Sequence, residues 1–176
     1  TTTRTVEETI TTHELEIGKL WPATDTYEPG STFKPFTAVS VLTNNSSVTP
    51  QSTYTVPYSM EVYDSVISDS HEHDVEQMTL EQILAESSNT GITLVSREVS
   101  TEQLYDTYNA FGFRTNPGTD FPGVASGVVE KASDWDGVQA ANVTFGQGLS
   151  ITGLELIRAY GALEQNGVER TPHFLT

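Results

Sequence analysis

Ser31 and Lys34 lie three positions apart in Tyr27-Glu28-Pro29-Gly30-Ser31-Thr32-Phe33-Lys34-Pro35-Phe36, and that spacing could do chemistry. Three residues apart on a helix is one face, so a hydroxyl and an amine would come within reach of each other. A serine hydroxyl is a weak nucleophile until a base takes its proton, and a lysine is such a base only when its pKa is lowered. Burial beside Phe33 and Phe36 would lower it by penalising the charged form. A helix N-terminus adds outward-pointing N–H groups that favour negative charge. The plainer reading of the same residues is a serine that caps a helix and a first-turn lysine.

Positioning such a pair needs a helix, and the sequence predicts one from near Ser31 to Asn44-Asn45. Pro29-Gly30 is a turn signal, and Phe33, Phe36, Ala38, Val39, Val41 and Leu42 make the helix apolar around most of its circumference, hence buried. Pro35 is tolerated because it falls in the first turn. Upstream, His13 to Leu20 reads as a short strand, ended by Trp21-Pro22. Downstream, Thr53 to Tyr58 and Glu61 to Ile67 read as two strands of a hairpin turning at Ser59-Met60. Thr79-Leu80-Glu81-Gln82 is a capping box opening a helix that stops at Ser87-Ser88-Asn89-Thr90-Gly91. A helix from about Ile92 to Val99 follows, and another runs from Thr101 to Phe111 with Gly112 as its stop. From Phe113 to Gly127 the chain is Pro- and Gly-punctuated, an ordered connector anchored by Phe113, Phe121 and Val124. In Thr144-Phe145-Gly146-Gln147-Gly148-Leu149-Ser150 the glycine spacing and lysine of a nucleotide loop are missing, which points to a close backbone approach instead. Thr152-Gly153-Leu154-Glu155 caps a last helix to about Gln165, ended by Asn166-Gly167.

The 176 residues suit one domain with a real core, and no run has the length of a transmembrane helix. A formal charge of −16 argues against nucleic acid and anionic membrane surfaces as partners. The chain has no cysteine, which removes disulfides and cysteine-based zinc sites. It begins Thr-Thr-Thr rather than with Met, as a processed or excised piece would. Ser70-His71-Glu72-His73-Asp74 places two histidines at i, i+2 among carboxylates, but no further ligand cluster follows, so a solvated loop without metal is expected.

Three stretches in one order carry a resemblance. Ser31-x-x-Lys34 followed by Ser87-x-Asn89 is similar to the motif pair of penicillin-recognising serine enzymes. The words around them sharpen it: Tyr27 to Pro35, Ser87-Ser88-Asn89-Thr90-Gly91, and Thr144 to Thr152 resemble class B penicillin-binding proteins, the cell-division and elongation transpeptidases. The likeness runs from about Trp21 to the C-terminus and leaves residues 1–20 unplaced, with 21–176 as an incomplete transpeptidase domain. It implies Ser31 as the nucleophile acylated by a D-Ala-D-Ala stem peptide of peptidoglycan or by a β-lactam. It implies Lys34 as the activating base, Ser87 as a proton relay to the leaving group, and Asn89 as the holder of the substrate amide. No cofactor or metal is implied. The location implied is the outer face of the bacterial cytoplasmic membrane, with a membrane-anchored parent.

One family motif is absent. The lysines are Lys19, Lys34 and Lys131, and none precedes Thr-Gly or Ser-Gly. The expected fold is therefore mainly α: the helical part of an α+β transpeptidase domain, with most of the central sheet missing. Such a piece is expected to acylate poorly or not at all, and to self-associate through helix surface that the sheet would cover. Two other readings share part of the pattern. A class A β-lactamase also has Ser-x-x-Lys and an Asn motif, but no matching deacylating-glutamate segment is found. A non-catalytic β-lactam sensor domain would be acylated once and signal.

Overall fold

The computed structural model describes residues 20–119 and 122–173. The expected strand at 13–20 and the anchor Phe121 therefore fall wholly or mainly outside the described residues. Among the described residues seven α-helices carry the fold: α1 Trp21–Thr24, α2 Lys34–Asn44, α3 Leu80–Ala85, α4 Asn89–Ser96, α5 Thr101–Ala110, α6 Gly137–Asn142 and α7 Gly153–Glu164. The strands among the described residues are short: β1 Thr26–Tyr27, β2 Thr53–Val56, β3 Ser59–Val62, β4 Ser65–Ser68, β5 Glu76–Thr79 and β6 Ile151–Thr152. They form three antiparallel pairs, β1 with β6, β2 with β5, and β3 with β4.

The helix ends follow local chemistry. Thr79, Ser100 and Thr152 each accept from the backbone N–H three residues on, while Gln82, Gln103 and Glu155 reach back, completing three capping boxes. At the other end of α5, Gly112 takes the left-handed conformation, and Phe113 N–H closes back on Tyr108 O at 3.3 Å. That satisfies carbonyls the helix would otherwise leave open. Asn166 and Gly167 do the same for α7.

Two expectations need correction. The chain does not turn at Ser59-Met60: β3 and β4 are joined at Tyr63-Asp64, and β2 pairs instead with β5 across the nineteen intervening residues 57–75, Thr53 facing Thr79. The Glu61–Ile67 stretch thus holds the end of one strand, a two-residue turn and most of another, which Thr/Tyr/Val content cannot distinguish from one continuous strand. Nor does the fourth helix wait for Ile92. Ser88 accepts from Gly91 N–H as its N-cap, so Asn89, Thr90 and Gly91 form its first turn. The residues between Ala132 and Phe145, for which no element was expected, hold α6 and two short 3-10 turns.

Two apolar clusters meet on α2. Ala38 and Val41 join Ile83, Ile92, Val95 and Phe145 on one side. On the other, Phe33 and Phe36 pack into an aromatic group. The Phe33 ring centre lies 4.7 Å from Tyr108 and 4.9 Å from Phe113, and Phe36 lies 4.9 Å from Phe113. Between them, Tyr108 donates to Thr37 Oγ1 at 2.8 Å and Thr37 donates to the Thr144 carbonyl at 2.7 Å, so both buried hydroxyls have partners. The helix that follows the Ser31 turn and begins at Lys34 is thus the buried centre of the fold, as its apolar circumference requires.

Candidate active site

Ser31 sits in the 3-10 turn Gly30–Phe33 that leads directly into α2, and its side chain is exposed while Lys34, one turn on, is only 2% exposed. Two backbone features hold that turn. Gly30 N–H donates to the Gly146 carbonyl at 3.0 Å. Gly146, at φ +80°, comes so close that a Cβ there would stand 2.2 Å from the Gly30 carbonyl oxygen. The glycine-rich stretch thus makes the expected close backbone approach, and what it approaches is the serine turn. Gly148 fixes it further, its N–H donating to Glu28 Oε1 at 2.9 Å and its carbonyl accepting from Gln139 Nε2 at 2.6 Å.

Lys34 Nζ lies 3.1 Å from Ser31 Oγ and 3.0 Å from Ser87 Oγ, and it also donates to the Ser87 carbonyl. Ser87 reaches this place through the way α3 ends. Its N–H bonds back to Leu84 O and that of Ser88 to Ile83 O, the pattern in which the intervening residue turns left-handed. Here that residue is Ser87 itself, at φ +58°, where glycine is the usual occupant. The turn aims both its carbonyl and its hydroxyl at Lys34.

Burial lowers the Lys34 pKa to about 8, against an opposing pull from the negative charge of Asp69. The overall acidity of the chain does not reverse this, because distant charges are screened within roughly 8 Å while desolvation is local. Three hydrogen-bond contacts suit an ammonium with three N–H groups. The free amine has two and a lone pair, so one hydroxyl must then donate to it. That is the arrangement in which a lysine draws a proton from a serine.

Asn89 opens α4 beside this group, with its Nδ2 donating to the Ser68 carbonyl at 2.9 Å. The remaining sequence candidates lie apart from the lysine. His73 Nε2 contacts Asp69 Oδ2 at 3.1 Å, and His71 Nδ1 contacts Ser70 Oγ at 2.9 Å. Among the described residues no three His, Cys, Asp or Glu side chains converge as metal ligands would.

The residue that sequence reasoning missed is Asp69. Its Oδ1 accepts from the N–H of Asn89 at 2.5 Å and of Thr90 at 3.0 Å, and its Oδ2 accepts from Ser88 Oγ at 2.7 Å; Thr90 Oγ1 lies 3.2 Å from Oδ2 and donates to the Pro57 carbonyl at 2.7 Å. Burial pushes its carboxyl up, but the hydrogen bonds from Ser88, Thr90, His73 and Asn89 outweigh that and hold its pKa below the usual range. Apart from His73, four positions on, the partners of Asp69 lie 19 to 21 positions away, so nothing near residue 69 in the sequence signals the contact to α4.

The chain resembles known proteins along most of its length. Residues 8–176 match the model of the penicillin binding protein transpeptidase domain. Penicillin-binding protein PbpB of Mycobacterium tuberculosis is 33% identical over 149 residues, 85% of this chain and 22% of that protein. The peptidoglycan D,D-transpeptidase FtsI of Escherichia coli is 30% identical over 147 residues, 84% of this chain and 24% of that one. Among solved structures, penicillin binding protein 3 of Mycobacterium tuberculosis complexed with aztreonam superposes with a TM-score of 0.81 at 31% identity, covering 87% of this chain and 34% of that chain. The chain therefore spans about a quarter of the curated relatives and shares the helical part of their fold. Sequence, fold and the order of the three motifs agree: this chain belongs to the penicillin-binding-protein transpeptidase domain family.

Proposed function

We propose that these residues form the acylation site of a serine D,D-transpeptidase that cross-links peptidoglycan. The observation that carries the reading is the buried Lys34 amine, poised near neutrality between the hydroxyls of Ser31 and Ser87. In the free-amine form, Lys34 takes the Ser31 proton as Oγ attacks the carbonyl carbon of the penultimate D-Ala, or of a β-lactam ring. The new C–O bond forms and the C–N bond breaks. The proton returns from the Lys34 ammonium through the Ser87 hydroxyl to the departing nitrogen. An acceptor amine from a second stem peptide then displaces Ser31 from the acyl group and releases it for another cycle. Asn89 is placed to hold the substrate amide, since its side chain carries both a donor and an acceptor. This chemistry uses no cofactor.

Several features support the wider reading. Relatives bear the names transpeptidase and penicillin-binding protein, and one was solved with aztreonam. The working place is the outer face of the cytoplasmic membrane, where stem peptides are joined, and the gene product that contains this chain is membrane-anchored. No helix among the described residues is long and apolar enough to cross a membrane. Trp21, 67% exposed, lines an open groove with Tyr27 and Gly153, and we propose it as part of the apolar surface through which copies of residues 1–176 self-associate.

The test is intact-mass spectrometry of the full-length gene product after incubation with a penicillin. One adduct per chain, located on Ser31 and lost in Ser31→Ala, is the expected result. An adduct elsewhere, or none, removes the reading.

A further inference from the structure

We propose that Asp69 is a positioning residue of this acylation site, bracing the turn that presents Ser87 to Lys34 and carrying a fixed negative charge that His73 balances. The inference rests on the acylation reading above.

The geometry makes Asp69 the common anchor of the motif that follows Ser87. The backbone N–H groups of Asn89 and Thr90 and the Ser88 hydroxyl all donate to one carboxylate, while the Thr90 hydroxyl, 3.2 Å from the same carboxylate, donates to the Pro57 carbonyl at 2.7 Å. Ser88 Oγ also accepts from Gly91 N–H at 2.8 Å, so its single proton is committed to Asp69. Ser87 precedes this anchored trio and follows the closing hydrogen bonds of α3, so its left-handed backbone is held from both sides. A left-handed serine persists only where its surroundings over-determine it. Asp69 supplies the downstream half of that constraint.

His73 completes the arrangement. Its Nδ1 lies 2.6 Å from the Asp74 carbonyl and its Nε2 3.1 Å from Asp69 Oδ2. Both partners are acceptors, so both ring nitrogens must carry protons, and the ring fits as imidazolium. The Asp74 carbonyl and the Asp69 carboxylate both raise its pKa, in that order, and Glu76 adds to them. Asp69, His73, Glu76 from β5, Glu86 after α3 and Ser88 line one cleft of about 270 Å³, so acidic groups face the imidazolium from three elements. Asp69 is also the charge that opposes the lowering of the Lys34 pKa. The histidine and the lysine are therefore both coupled to one carboxylate.

The two substitutions that follow have opposite signs. Asp69→Asn keeps an oxygen for the N–H groups of Asn89 and Thr90 but removes the charge that favours protonated Lys34. His73→Gln keeps the carboxylate and removes its counter-charge, so Asp69 acts on Lys34 at full strength. The experiment is the pH profile of the second-order acylation rate of the full-length gene product with a penicillin. We expect the profile's midpoint to move to lower pH in Asp69→Asn and to higher pH in His73→Gln. Asp69→Ala should lose about 100-fold in the plateau rate, as misplacing a reacting group does. A cap that only stabilises α4 would lower the melting temperature of these variants and leave midpoint and plateau unmoved. That result, or two midpoints shifted in the same direction, overturns the proposal. If the unsubstituted protein is not acylated on Ser31, the acylation reading and this one fall together; if it is and the variants behave alike, only this one does.

Discussion

Lys34 and Ser87 are 53 positions apart in sequence, and the lysine nitrogen contacts both the hydroxyl and the carbonyl of the serine. The double contact is possible because Ser87 is left-handed, at φ +58°. A side chain in that conformation costs roughly 1–2 kcal/mol that glycine would not incur. The position is thus locally unfavourable, as strained residues at reaction sites often are.

Ser87→Gly should therefore raise stability by about 1 kcal/mol, measured by denaturant unfolding, while acylation by a penicillin falls at least about 100-fold with the loss of proton relay. Ser87→Ala keeps the strain and loses the hydroxyl, so it should be no more stable than the parent and equally slow. If Ser87→Gly labels as fast as the parent, Ser87 is a structural turn residue and the relay belongs elsewhere.

On the acylation reading, Lys34 should set the pH dependence of the rate and contribute to that of stability. With a pKa of about 8 the free amine accumulates through that pH, so acylation should rise with pH up to about 8 and then level, where an ordinary lysine would let it climb to about 10.5. For folding, the lowered value means that the unfolded chain binds more protons than the native one between about pH 8 and 10.5. Stability attributable to Lys34 is therefore lowest below about pH 8 and increases across that window, by up to about 3 kcal/mol at 1.36 kcal/mol per pKa unit. The check is the difference in unfolding free energy between the parent and Lys34→Met from pH 7 to 11, which also cancels the tyrosines that titrate nearby. A flat difference would mean that Lys34 is solvated as an ordinary lysine.

Much of this arrangement was legible because it is local. The i, i+3 spacing of Ser31 and Lys34, the apolar circumference of α2, and the capping boxes at Thr79, Ser100 and Thr152 are short-range signals, and each element formed where its signal lies. Ser87-Ser88-Asn89-Thr90-Gly91 was harder, since small polar residues end one helix and begin the next, and only tertiary partners decide the boundary. Asp69 capping α4 from outside is such a partner. β2 pairing with β5 is another non-local choice: Thr55 and Gln77 meet only because the β3–β4 hairpin loops out between them. α6 went unseen because six residues with one buried alanine give no apolar stripe.

Gly146 and Gly30 offer a contrast that separates conformational strain from close approach. Both have positive φ, but a Cβ on Gly30 meets nothing within 4 Å, whereas one on Gly146 meets the Gly30 carbonyl. Gly30→Ala should cost roughly 1–2 kcal/mol of stability, the left-handed term alone. Gly146→Ala adds an overpacking cost of about 1–3 kcal/mol and pushes on the turn that carries Ser31, so it should lose acylation as well. Equal effects on stability and rate for the two variants would show that the glycine-rich stretch does not position the serine turn.

The last expectation concerns residues 1–176 as an isolated polypeptide. Acyl transfer needs hydrogen-bond donors aimed at the oxyanion, and losing one typically costs about 100- to 1,000-fold in rate. Ser31 can supply one donor from its own N–H. By resemblance the second comes from a strand carrying Lys-Thr-Gly or Lys-Ser-Gly, and no lysine of this chain begins either sequence. The same strand would wall the substrate cleft, so binding and chemistry should weaken together. The Lys34 contacts do not depend on that strand, which means the nucleophile should be activated yet unassisted. Intact-mass spectrometry after penicillin treatment should therefore show labelling of residues 1–176 on the order of 100-fold or more slower than labelling of the full-length gene product. A polypeptide of residues 1–176 that labels rapidly and stoichiometrically on Ser31 would place the second donor within the residues present, and the glycine-rich stretch at Gly146–Gly148, already stitched to the serine turn, would be the first place to look for it.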